Sequence, residues 1–217
     1  MDVSKTNIKK SFNMAFVLLI FSAIISFLTA FFFSNKTIRT ILSLETAICL
    51  VAAFYYYIFM KRIDSEQNIN WTALTQIRYA DWIFTTPMML ISLSYLLSMN
   101  SDTVVKFGTT ASIVILNYIM LGFGYLGEMT NISHIWTMIL GFIPFFIMFH
   151  LIYKNYVKNN KLNMWIFGVY IILWSFYGIV YLFPQEEKNL ITNMLDMVAK
   201  GIIGLLIALY FFMKKYA

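Results

Sequence analysis

A handful of ionisable and hydroxyl side chains stand inside runs that are otherwise apolar: Arg78, Asp81, Thr85 and Ser92 in one, Asp196 and Lys200 in another. On a helix, Arg78 and Asp81 (three apart) share a face, as do Asp81 and Thr85 (four apart). Ser92 returns to nearly the same face about 16 Å further along the axis. Asp196 and Lys200, again four apart, share a face of their own helix. A stripe of cation, carboxylate and hydroxyl through hydrocarbon is costly, and it points to a proton or ion site with partners on neighbouring helices. The competing reading is a buried Arg–Asp pair that only locks helices together. A lysine in the middle of an apolar helix keeps its ammonium only beside counter-charges.

Such side chains need long apolar elements to hold them. The chain has 217 residues, 60% hydrophobic and 12% charged, too little charge to cover a soluble domain of this size, so the bilayer is the solvent. Apolar runs of spanning length are predicted at about 11–33, 38–60, 74–98, 104–127, 132–153, 162–183 and 190–213. The expected fold is an all-α, multi-pass integral membrane protein. It is a bundle of seven transmembrane helices forming one domain over residues 1–217, with short loops. Met1–Asn13 is polar and the first apolar run is long enough to span, so no cleavable signal peptide is expected. Cys49, the only cysteine, excludes an internal disulfide and reads as a packing residue.

The net charge is +6. With the N-terminus outside, the inner positives are Lys36, Arg39, Lys106, Lys154, Lys158, Lys161, Lys214 and Lys215. The outer ones are Lys5, Lys9, Lys10, Lys61, Arg62 and Lys188. The excess favours the N-terminus outside and the C-terminus inside. Basic loops of this kind are topology signals and lipid contacts; no nucleic-acid partner is expected.

Several residues carry two readings. Glu45, beside Thr46, sits about two turns into the second run, and is either a carboxylate that reaches the interface or binds a neighbouring helix, or a proton or cation waypoint in the inner half. Trp174, Tyr177 and Tyr181 lie on one helical face, where an aromatic stripe is ordinarily core. Trp136 and Pro144 read as an interface anchor and a kink. His134 and His150 have no metal-like spacing, and no metal is expected. The sequon at Asn131 is uninformative. No nucleotide loop or nucleophile constellation is present, so no enzyme is expected.

Arg78-Tyr-Ala-Asp-Trp-Ile-Phe-Thr-Thr-Pro87 resembles the third helix of microbial (type 1) rhodopsins, and Leu195-Asp-Met-Val-Ala-Lys200 resembles their last helix. The resemblance implies that Lys200 holds all-trans-retinal as a Schiff base. It makes Asp81 and Asp196, steadied by Arg78, the counter-ion complex, and Asp81 the proton acceptor. Trp82 and Trp174 would sandwich the polyene, with Thr85, Thr86, Met89, Met120, Gly124, Tyr177 and Tyr181 completing the pocket. Tyr57, in the run Tyr55-Tyr-Tyr57, would approach the counter-ions. Trp174-Ser-Phe-Tyr177 is similar to the family's WSxYP run, but Gly178 stands where many members have proline, which puts the usual bend of that helix in doubt. The resemblance implies the same N-out orientation.

The implied function is a light-driven ion transporter, an outward proton pump first. Asp81 argues against inward chloride pumping, and Thr85 in place of glutamine against sodium pumping. Ser92 stands where efficient proton pumps carry a carboxylate donor. Serine is no donor near neutral pH, so Glu45 is the expected substitute. Glu186 and Glu187, in an outer loop before the last run, are candidates for proton release. The alternatives are a light-gated cation channel, although the second helix offers only Glu45, and a photosensor signalling through a separate partner. The Asp81-Thr85-Ser92 set and the short loops are similar to rhodopsins of giant viruses. Membrane lipids, transported protons or cations, and further copies of the chain in a homo-oligomer are the expected partners.

Overall fold

The computed structural model describes residues 5–65, 69–158 and 160–216. It contains seven helices long and apolar enough to cross a membrane, and no strand among the described residues. They are α1 (Lys5–Ala30), α2 (Lys36–Ser65), α3 (Trp71–Asn100), α4 (Phe107–Met129), α5 (His134–Val157), α6 (Lys161–Val180) and α7 (Gln185–Tyr216). The chain is an integral, multi-pass membrane protein.

Most helices start earlier or run longer than the apolar runs that predicted them, because polar turns at each end continue the helix. α2 extends to Ser65, through most of the polar stretch expected as a loop after residue 60; residues 66–68 of that stretch lie outside the described residues, as do 1–4 of the polar leader. α7 begins at Gln185, five residues ahead of the expected start, so Glu186 and Glu187 occupy its first turn rather than a loop. Acidic groups are favourable there against the helix dipole. α6 stops at Val180 instead of 183, with Tyr181 as its cap.

The chain divides into two compact units, one comprising residues up to 85 and from 183 onward, the other residues 86–182. In the first, α1, α2 and the beginning of α3 pack around a buried cluster that includes Phe12, Leu19, Tyr56, Phe59 and Leu74, with Leu190 and Met197 of α7 against it. α1 buries Ser11, Ser22 and Ser26 while exposing Val17, Phe21, Ile24, Phe27 and Leu28. Along α2 the buried positions recur as 41/42, 45/46, 48/49, 52/53, 56, 59 and 63, a single helical face. Small and polar residues share these helix contacts with the larger apolar side chains. α7 buries Lys188, Asn189, Thr192, Asn193, Asp196 and Lys200, and exposes Leu206, Leu209 and Met213. Between Met197 and Ile202 it widens into a π-helical segment holding Lys200.

The second unit comprises the rest of α3 with α4, α5 and α6. Asn117 of α4 donates to Thr86 Oγ1 at 2.8 Å. Asn163, at the start of α6, donates to the carbonyls of Leu97 (2.8 Å) and Tyr156 (3.0 Å), so one buried amide ties three helix ends together. α6 remains regular through Gly178. A Cβ at 178 would lie 2.4 Å from Phe142 Cζ, so glycine serves here to admit the aromatic ring of α5. Trp136 is 65% exposed, in keeping with an interface anchor.

Candidate functional site

In the first unit four charged side chains close on one another at hydrocarbon depth. Lys200 Nζ lies 2.6 Å from Asp81 Oδ2 and 3.4 Å from Asp196 Oδ1. Arg78 reaches Asp196 Oδ2 at 3.5 Å. All four are at most 2% exposed. Two cations face two carboxylates, so the cluster is formally neutral, and the mutual pairing offsets the cost of stripping water from each ion. The spacings supply the geometry: Arg78 and Asp81 share a face of α3, Asp196 and Lys200 a face of α7.

Neutral side chains complete the bonding. The Tyr56 hydroxyl donates to Asp196 Oδ2 at 2.8 Å and accepts from Arg78 at 3.3 Å. Arg78 also donates to Asn189 Oδ1 at 3.2 Å and to Asn193 Oδ1. Asn193 donates to Ser11 Oγ at 2.8 Å, and Asn189 to Thr75 Oγ1 at 3.0 Å. Thr75 continues to Gln185 Oε1 at 2.7 Å. The rings of Phe59, Phe12 and Tyr56 lie 5.0, 5.2 and 5.6 Å from the guanidinium carbon, adding cation–π attraction where water is excluded. Arg78 is thereby held in one pose by groups from three other helices, α1, α2 and α7.

One expectation is corrected here. Tyr57 is 48% exposed, its ring under the Lys61 ammonium; Tyr56, fully buried, is the tyrosine at the counter-charges. The buried face of α2 selects 56, in step with 52/53 and 59. Thr85 is buried too, but its hydroxyl is spent on the Asp81 carbonyl at 3.0 Å rather than on the carboxylate. Asp81 Oδ1 has no hydrogen-bond partner among the described residues, so the carboxylate has an oxygen free to receive a proton.

The family described as bacteriorhodopsin-like protein matches residues 8–213. The chain belongs to the bacteriorhodopsin-like family. This microbial rhodopsin is 28% identical to bacteriorhodopsin of Halobacterium salinarum over 171 residues, 70% of this chain but 61% of that protein's length. It is 26% identical to a green-light absorbing proteorhodopsin of a gamma-proteobacterium over 195 residues, covering 79% of this chain and 72% of that one. The crystal structure of a viral rhodopsin, OLPVRII, superposes with a TM-score of 0.89 at 33% identity, covering 94% of this chain and 97% of the other. The fold is therefore the seven-helix rhodopsin bundle, and retinal is the cofactor of the family.

The rhodopsin's remaining predicted residues are distributed as follows. Trp82 is half-buried, its ring 5.0 Å from that of Tyr79. In the second unit Thr86, Met89 and Trp174 are buried; Met120, Gly124 and Tyr177 are half-buried. Trp174 packs edge-on against Phe149 at 5.9 Å. The Tyr181 hydroxyl shares a 2.8 Å hydrogen bond with Thr137 and donates to the Gly124 carbonyl at 3.1 Å, while its ring lies 5.0 Å from His134. Ser92 is fully buried. Glu45 is 2% exposed, which removes the interfacial reading, and Thr46 donates to its own helix at Leu42. Glu186 is exposed and Glu187 half-buried.

Sequence reasoning missed the asparagines. Asn189, Asn193, Asp196 and Lys200 fall at intervals of four, three and four, a stripe visible in the sequence once α7 is started at 185. It also missed Glu128, whose side chain is 1% exposed and lies 3.7 Å from His134.

Proposed function

We propose that this rhodopsin is a light-driven outward proton pump with its N-terminus outside, acting as a single seven-helix domain, and that retinal is attached at Lys200. The observation that carries the reading is the 2.6 Å approach of Lys200 Nζ to Asp81 Oδ2, beside a second Asp81 oxygen with no partner among the described residues. Nζ is the atom that forms the link, and a buried primary amine flanked by two carboxylates fits that role. Retinal bound there supplies light absorption and the change of shape that powers the cycle.

The chain's own groups do the rest. Asp81 takes the proton leaving the Lys200 nitrogen, being in hydrogen-bond reach of it. Asp196 stays ionised, held by Tyr56 and Arg78, and keeps a counter-charge in place while Asp81 is neutral. Arg78 passes the gain of positive charge outward, with Glu186 and Glu187 as release groups. The other pocket residues keep the roles that the resemblance gives them. Ser92 offers no proton, and Glu45 returns one to the Lys200 nitrogen from inside. Exposed Phe- and Tyr-rich faces suit lipid and a homo-oligomer.

The test is photocurrent against membrane voltage in cells expressing the chain with retinal. Outward current of one sign at every voltage is expected. A current that reverses near an ion's equilibrium potential would replace the pump with a cation channel. A visible band with a slow photocycle and no current would replace it with a sensor.

A further inference from the structure

Beyond Lys200, α7 carries no polar side chain until Tyr210, yet the space beside it is not apolar. A Cβ at Gly204 would stand 2.7 Å from Ser22 Oγ, 3.5 Å from Glu45 Oε2 and 3.8 Å from Cys49 Sγ. Three polar atoms from α1 and α2 therefore converge on a point that only glycine leaves open. Ser22, Glu45 and Cys49 are all at most 2% exposed. Cys49 donates to the backbone carbonyl of Lys200, with 3.6 Å between sulfur and oxygen. That carbonyl lies in the π segment, where it also accepts from the backbone N–H of Ile203. Ser26, one turn nearer the end of α1, is also fully buried, and neither its hydroxyl nor that of Ser22 has a hydrogen-bond partner among the described residues. Buried hydroxyls without a protein partner are rare and costly, and are normally relieved by water.

We infer that protons reach the Lys200 segment along α1 and α2, from Ser26 through Ser22 and Glu45 to Cys49, and that Gly204 holds this path open. Each hydroxyl or thiol on it takes a proton at its lone pair and passes on the one it held, and the proton that leaves Cys49 is taken up by the Lys200 nitrogen in place of the one lost to Asp81. Glu45 gives up its proton and regains one from the Ser22 side, so every group ends the cycle as it began. The inference rests on the reading of Lys200 as the nitrogen that cycles a proton, but it can be tested in the dark.

Cys49 is the only cysteine in the chain, so its S–H stretching band in the infrared is unambiguous. The experiment transfers the full-length protein, with and without retinal, into D2O and follows loss of that band. Rapid exchange is expected for the parent protein, slowed several-fold by Gly204→Ala, which fills the gap, and by Ser22→Ala, which removes a hydroxyl without adding bulk. In retinal-bound protein the same two substitutions should slow return of the proton to the Lys200 nitrogen several-fold after a flash. A parent S–H band that persists for hours in D2O would overturn the inference, as would exchange and proton return in Ser22→Ala as fast as in the parent. Failure of the pump reading is separable, because it would appear as absent photocurrent with S–H exchange still fast.

Discussion

Tyr56 and Asp196 are joined by a hydrogen bond of 2.8 Å, and Arg78 donates to the same phenolic oxygen at 3.3 Å. The phenol thus couples an arginine to a carboxylate deep inside the first unit. Tyr56→Phe keeps the ring and removes both bonds, and should lower stability by about 1–3 kcal/mol, the cost of leaving buried polar groups short of partners. Tyr57→Phe, at a half-exposed position, should stay within about 0.5 kcal/mol. Thermal unfolding of the two variants checks this, and a larger loss in Tyr57→Phe would mean that the wrong tyrosine has been assigned.

Asp81→Asn should abolish light-driven proton movement, because the oxygen 2.6 Å from Lys200 Nζ no longer takes a proton. It should also shift the colour. A carboxylate beside a cationic nitrogen stabilises the ground state, in which the positive charge is localised there, more than the excited state. Protonating Asp81 in acid removes that charge, so the band of the retinal-bound protein should move to longer wavelength as pH falls. In Asp81→Asn the long-wavelength band should be present throughout, and an absorbance titration that still moved would exclude Asp81 as the group responsible.

Asn193→Leu should cost about 2–3 kcal/mol, since Arg78 and Ser11 both lose a partner and hydrogen bonds to a charged group are the stronger kind. Proton release followed with a pH-sensitive dye should slow. Equal stability and release in the variant would show that Arg78 finds other acceptors.

Gly178→Ala should destabilise the protein by about 1–3 kcal/mol through overpacking against Phe142. Adding Phe142→Leu to the same chain should recover most of the loss. If the double variant were no better than the single one, the contact would not be the cause.

Much of this arrangement is legible in the sequence because the bilayer makes charge conspicuous. Arg78, Asp81, Asp196 and Lys200 stand out against apolar neighbours, and the structure brings all four together. Their neutral partners do not stand out. Asn189 lies just ahead of the expected apolar run and Asn193 in its first turn, where asparagine ordinarily marks a loop or a helix end; the start of α7 at Gln185 puts both well inside the helix, on its buried face. Three consecutive tyrosines leave the facing residue undetermined until the burial phase of α2 is known. Glu128 is hidden for a similar reason, being one residue from the end of α4, where a carboxylate would ordinarily be solvated. Gly204 gives no signal at all, since what matters there is the side chains of two other helices.

The widened turn over Met197–Ile202 divides α7 into two lengths with independent phase. A regular helix advances about 100° per residue, and a π turn absorbs one residue more than an α turn does. Removing any single residue from this segment would permit unbroken α geometry, but would rotate one end against the other by about that angle. Either the asparagine stripe would leave Arg78 or Gly204 would leave Ser22 and Glu45. Lys200 sits at the splice, so the number of residues on each side of it is constrained separately, and a compensating insertion elsewhere in α7 would not restore what a deletion there takes away.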